Sequence, residues 1–125
     1  MFLTFKRLKY IILVFIGCSC MACEYITEIE DISTKTVTIL APSNETVLDT
    51  LPVTFTWQAL EGSEQYHLQV ATPNFNNAAR IVVDTVMSKT NYTQTLSKNS
   101  YEWRVQGKNA GYVTDYTTQK FSIEK

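Results

Sequence analysis

Beyond residue 36 the chain alternates between apolar and polar residues. In "PVTFTW" threonines separate Val53, Phe55 and Trp57. In "QYHLQVA" His67 and Gln69 separate Tyr66, Leu68 and Val70, and in "SYEWRVQ" Glu102 and Arg104 separate Tyr101, Trp103 and Val105. Side chains two apart share one face of an extended strand, so a period of two means strands with one face buried and one wetted. "KFSIE" repeats the pattern with Phe121 and Ile123, and "NYTQTL" does so with Tyr92 and Leu96. "TVTIL" and "ARIVVDT" add Val37, Ile39 and Ile81–Val83. The connectors "APSNETVLDTL", "ALEGSE", "TPNFNNA", "VMSKT", "SKNS" and "GKNAGYVTD" are rich in Asn, Ser, Gly and Pro, which favour turns. No amphipathic helix of useful length interrupts them. Seven such strands in residues 36–125 predict an all-β domain, a seven-stranded antiparallel β-sandwich.

The first thirty-five residues follow another logic. Lys6, Arg7 and Lys9 precede the apolar run "YIILVFIG", and small residues come after it. Extended to Ala22, the apolar stretch is about 13 residues, whereas a helix crossing a bilayer needs ~20. The segment reads as a secretory signal rather than a span. All 3 cysteines sit in "FIGCSCMAC". A small residue followed by Cys, directly behind a basic and apolar leader, resembles the lipobox of bacterial lipoproteins, where cleavage occurs just before a Cys whose thiol has been diacylated. "FIGC" places Ile16 and Gly17 before Cys18. "CMAC" places Ala22 before Cys23, with Cys20 three positions ahead of it, and "GCSC" fits worst because Gly17 stands where a large apolar residue is expected. The resemblance implies lipidation at Cys18, with Cys23 as the alternative.

Residues 1–17 are then a lipoprotein-type signal peptide, 18–35 an acidic flexible tether and 36–125 the folded domain. The tether carries Glu24, Glu28, Glu30 and Asp31 and little apolar periodicity to bury. It resembles the acidic export signals that send some Gram-negative lipoproteins to the cell surface, and Glu24 directly after Cys23 suits the second lipidation site. The implied location is the bacterial cell envelope, lipid-anchored in the outer membrane and facing either the periplasm or the exterior. Other uses of the cysteines fit less well. A zinc site wants four converging ligands, and the single histidine, His67, is far along the chain. "CMAC" is formally C-x-x-C but lacks a surrounding βαβ pattern. If Cys18 carries the lipid, Cys20 and Cys23 remain available to pair. Removing residues 1–17 takes away three of the 11 basic residues and none of the 12 acidic ones, so a net charge of −4 remains. That balance argues against nucleic acid as a partner.

Within the domain, "LSKNSYEWRVQGKNAG" resembles the closing strands of a fibronectin type III domain. Leu96, Tyr101, Trp103, Val105, Asn109 and Gly111 take the family's places for a leucine, a tight turn, Tyr-x-x-x-Val and an Asn-x-Gly-type turn. Trp57 in "PVTFTW" matches the family's second-strand tryptophan, and "QYHLQVA" matches its third strand. The resemblance covers most of residues 36–125. It implies that Tyr101 forms a tyrosine corner, with its ring buried and its hydroxyl bonded to nearby backbone, and that Trp57 and Trp103 fill the space between the sheets. It also implies that "ALEGSE" and "GKNAGYVTDY" lie at the same end. Asn109, Tyr112, Asp115 and Tyr116 then form a possible binding loop, because exposed aromatics beside amides and acids are how proteins commonly hold sugars or other proteins.

Chemistry is otherwise thin. His67 alternates outward with no neighbouring acid at strand spacing and reads as a plain surface residue. Arg104 reads as a sheet-face cation opposite a cross-strand acid. Phosphate loops, G-x-S-x-G elbows, H-E-x-x-H and Asp-rich calcium loops are absent from the sequence, so no catalytic residue, metal site or cofactor is expected. "DTL" and "DTV" resemble the acceptor of O-glycosylation in some Gram-negative envelopes, which marks Thr50 and Thr85. The sequons at Asn44 and Asn91 read as chance. The expected role is a non-catalytic interaction or accessory module that is membrane-anchored through lipid and has a protein or glycan partner. The alternative is a carbohydrate-binding accessory of a glycan-uptake system, resembling the N-terminal sandwich of starch-utilisation outer-membrane lipoproteins.

Overall fold

Where apolar residues alternate with threonine, glutamine and charge, the chain extends. The computed structural model describes residues 28–49 and 51–125 and contains β1 (Ile39–Ala41), β2 (Thr46–Leu48), β3 (Val53–Trp57) and β4 (Gln65–Thr72). It continues with β5 (Arg80–Met87), β6 (Asn91–Gln94), β7 (Asn99–Lys108) and β8 (Thr117–Ile123). A three-stranded sheet of order β1-β3-β6 faces a five-stranded sheet of order β2-β8-β7-β4-β5. Among the described residues no helix is long and apolar enough to cross a membrane.

The expected sandwich is present, with one strand more than the alternation predicts. β2 lies inside the stretch expected to be a connector and pairs parallel with β8, with Thr46 opposite Phe121 and Leu48 opposite Ile123. The first strand of the sandwich is therefore split. β1 pairs antiparallel with β3, and the chain then crosses to the other sheet. The remaining pairs are antiparallel.

Inward positions of both sheets fill the core. Phe55 and Trp57 from β3 meet Trp103, Phe121 and Tyr66 edge-on or tilted, with ring centroids 5.0 to 6.4 Å apart. This is the geometry ring quadrupoles favour. Leu68, Val70, Val105 and Ile123 pack around them. Trp103 Nε1 donates to the Pro42 carbonyl at 3.2 Å, so the β1–β2 connector is tied to the core. Trp57 Nε1 is the one buried side-chain nitrogen or oxygen with no partner among the described residues. Tyr101 is buried, stacks on Phe121 at 5.2 Å and donates its hydroxyl hydrogen to the Ser97 carbonyl at 2.6 Å, a tyrosine corner.

Candidate functional site

Two surfaces gather polar and aromatic groups. The first is the loop end, where the β3–β4 and β7–β8 connections lie side by side. Ser63 links them. Its Oγ accepts from Lys108 N at 3.1 Å and lies 2.8 Å from the Gln65 carbonyl, to which it donates. In the β7–β8 connection, Thr114 N donates to the Gly107 carbonyl and Gly107 N to Thr114 Oγ1, both at 3.0 Å. Asn109 is fully occupied. Its amide nitrogen donates to the carbonyls of Glu30 at 2.7 Å and Gly62 at 3.0 Å, while its oxygen accepts from the backbone nitrogens of Gly111 and Tyr112.

The partner segment at this end is 28–35, the described part of the stretch expected to be a solvated tether. It lies against the domain as a strap. Ile32 is 0% exposed. Lys35 Nζ bonds the Glu30 carboxylate at 2.6 Å and the Glu61 carbonyl at 3.0 Å. Gly62 has φ +88°, and a Cβ there would run into the Glu30 carboxylate and the Ile32 side chain. Glycine answers both demands. Of the four residues expected to form one binding loop, Asn109 is thus a brace, while Tyr112 and Asp115 are exposed. Tyr116 leaves the loop altogether and lies on the sheet face.

That face, the outward side of the five-stranded sheet, is the second surface, and sequence reasoning missed it. His67 does have an acid. Asp84 on β5 sits diagonally from it, because Gln69 is directly opposite Asp84 and Val86 directly opposite His67. His67 Nε2 lies 2.5 Å from Asp84 Oδ1, and its Nδ1 lies 2.8 Å from the Tyr116 hydroxyl. One neutral tautomer satisfies both contacts: Nε2–H donates to the carboxylate and Nδ1 accepts from the phenol. The bond from His67 holds the Asp84 carboxyl below the ordinary aspartate range, and burial pushes the Tyr116 phenol up.

Beside this triad, Arg104 on β7 stacks on aromatic rings rather than facing an acid. Its guanidinium carbon is 4.0 Å from the Phe75 ring centroid and 4.4 Å from that of Tyr116. Its Nε donates to Gln69 Oε1 at 2.8 Å across the β4–β7 pair. Phe75 comes from the β4–β5 loop, which folds back over the sheet. Phe75 N donates to Glu102 Oε1 at 3.0 Å, and Ala71, on the same outward face as Glu102, is 0% exposed. The cluster thus draws on β4, β5, β7, the β4–β5 loop and the approach to β8. The alternation of "QYHLQVA" and "SYEWRVQ" identified the outward residues, but only the register says which of them touch.

The other marked positions scatter. Cys18, Cys23 and Thr50 lie outside the described residues. Thr85 is half-buried in mid-β5, opposite Leu68. Asn44 Oδ1 accepts from Lys120 N at 3.0 Å. Among the described residues no three His, Cys, Asp or Glu side chains are grouped to hold a metal.

The split first strand, the two-sheet order and the tyrosine corner define a fibronectin type III-like β-sandwich. No protein-family model matches this chain, and no curated protein sequence matches it. Solved structures do. The fibronectin(III)-like modules of CbhA from Clostridium thermocellum align with a TM-score of 0.51 at 13% identity, over 71% of this chain and 96% of theirs. A fibronectin type III domain derived from the human protein KIAA0970 aligns with a TM-score of 0.54 at 13% identity, over 76% of this chain and 77% of its own. At such identity the likeness is one of fold, and function has to be argued from the surface.

Proposed function

We propose that this chain is a lipid-anchored lipoprotein of the bacterial envelope. Its fibronectin type III-like domain is a non-catalytic interaction module that meets a protein partner through the outward face of the five-stranded sheet. The observation that carries this reading is the convergence of Phe75, Arg104, Tyr116 and His67 on one wetted face. Arginine and aromatic side chains dominate the binding energy where proteins meet. Here they are held in place by one another, so less rotamer freedom is lost on binding. Val86, directly opposite His67 and 45% exposed, adds apolar surface. The His67–Asp84 pair argues for binding rather than catalysis, because Tyr116 occupies the nitrogen that a general base would need. The anchor rests on the basic leader, its short apolar run and the cysteines behind it.

Benzoylphenylalanine placed at Val86 or Thr118 in living cells should give protein adducts, while the same residue at Thr54, on the other sheet, should not. Equal yields from the two faces would remove the assignment. Radiolabelled palmitate should enter the chain and be lost on Cys18→Ala or Cys23→Ala, and label surviving in the double variant would sink the anchor. A glycan-binding reading draws on Tyr112, whose ring is exposed at the loop end. A glycan array giving no signal with the purified chain would remove it.

A further inference from the structure

We infer that the loop end is the face this domain turns toward the lipid surface, with Ile29, Tyr112 and Val113 as the side chains that touch the bilayer interface. The inference rests on the lipid-anchored reading and adds to it an orientation and a contact patch.

It begins with the strap. A flexible tether of eighteen residues would let the domain take any attitude above a membrane. Residues 28–35 are not free to do so, because Ile32 is fully buried, Asn109 holds the Glu30 carbonyl and Lys35 reaches the Glu61 carbonyl. The chain therefore departs for its N-terminus from the loop end, at Glu28. From Cys23 five residues remain to Glu28 and from Cys18 ten, which span at most ~18 and ~36 Å fully extended. β7, which runs from the far end of the sandwich to the loop end over 10 residues, is itself ~33 Å long. A leash comparable to or shorter than the domain, fixed at one end of it, keeps that end nearest the anchor.

The surface there fits an interface. Ile29 is 49% exposed, Tyr112 39% and Val113 48%. They form one patch, since the Ile29 side chain packs over Gly111, where a Cβ would meet its Cγ2 at 3.6 Å, and Tyr112 and Val113 follow directly. Tyrosine with adjacent aliphatics suits the zone between headgroup and hydrocarbon. Glu28, Glu61, Glu64 and Asp115 are exposed around the patch, so the headgroups it suits are zwitterionic rather than anionic. Three side chains are too few to hold the domain on a bilayer unaided. The short leash supplies the local concentration that makes the contact persistent.

The full chain, produced in a Gram-negative host and reconstituted into phosphatidylcholine vesicles, provides the test. Benzoylphenylalanine at Tyr112 or Val113 should form lipid adducts at least tenfold more often than at Lys98, which precedes β7 at the opposite end. A flexible Gly/Ser insertion of twenty residues between Cys23 and Glu28 should bring that ratio toward one while leaving the fold untouched. A chain that floats with vesicles but shows no enrichment at Tyr112, or adducts to protein there instead of lipid, overturns this inference alone. A chain that does not float overturns the anchored reading and this one with it.

Discussion

Asn109 uses both ends of its amide, donating twice across to the strap and the β3–β4 loop and accepting twice within its own turn. Its effect should therefore appear in stability. At ~1 kcal/mol net per hydrogen bond, and more where a partner is left dry, Asn109→Ala should cost about 2–3 kcal/mol. Asn109→Asp, which keeps the acceptor but sets a carboxylate oxygen against the two carbonyl oxygens the amide nitrogen held, should cost at least as much. Urea unfolding measures both, and a loss below ~0.5 kcal/mol for the alanine variant would contradict the brace. Asp84 offers a pH-dependent counterpart. Its pKa is depressed, first by the bond from His67, so the stability it contributes is present above the ordinary aspartate pKa of about 4 and is lost as pH falls through the lower folded value. Its side chain is 55% exposed, so the effect is modest. Asp84→Asn should flatten the fall of the urea midpoint as pH drops below about 4. Identical slopes in the two proteins would remove the His67–Asp84 bond as the cause.

At the level of elements, the strap makes the sharpest prediction. Ile32 is fully buried and Ile29 half-exposed, three residues apart in one segment. Truncating a buried isoleucine to alanine costs about 2–5 kcal/mol, whereas an exposed one costs a few tenths. Ile32→Ala should thus lower the urea midpoint strongly and Ile29→Ala hardly at all, and equal small effects would return the segment to a solvated tether. The contrast also shows what could be read in advance. Long strands announced themselves through period two, and the core carried by Phe55, Trp57, Leu68, Val70, Tyr101, Trp103 and Val105 was legible from alternation alone. Ile32 sits among polar residues in "EDISTKT", and a single buried side chain has no period to detect. β2 is three residues long, too short to alternate recognisably, and its parallel partner is more than seventy residues away. The sheet-face cluster was half legible. His67 and Arg104 could be placed on the outward face, but Tyr116 was expected in the loop. The Asp84–His67 contact depends on the register of β4 against β5, which shifts between Val70 and Ala71, and no residue pattern states a register.

For the molecule as a whole, the two sheets are unequal, and that inequality should govern how it opens. β4 and β7 lie inside the five-stranded sheet, each hydrogen-bonded on both sides along its length, and their inward residues form the middle of the core. Among the described residues β6 pairs only with β3, and β2 only with β8, through three residues. Bonds from Glu45 N to the Lys120 carbonyl and from Glu124 N to the Leu48 carbonyl extend that pairing, and a tie to another strand is added where Trp103 Nε1 holds the Pro42 carbonyl just before β2. Amides in the middle of β4 and β7, such as those of Leu68 and Val105, should exchange with deuterium only through global unfolding, and their opening energy should fall with urea at the full unfolding slope. Amides of β2 and β6 should open locally, ten- to a hundredfold faster or about 1.4–2.8 kcal/mol below the global value, with little urea dependence. Trp103→Phe tests the tie itself. It removes the donor to Pro42 and part of a ring, so it should lower the global stability. Beyond that common loss it should speed exchange in β2 while leaving the difference between β6 and β4 unchanged. If β2 and β6 respond alike, the connector is held by burial of Pro42 rather than by the indole, and the split first strand owes its place in the five-stranded sheet to β8 alone.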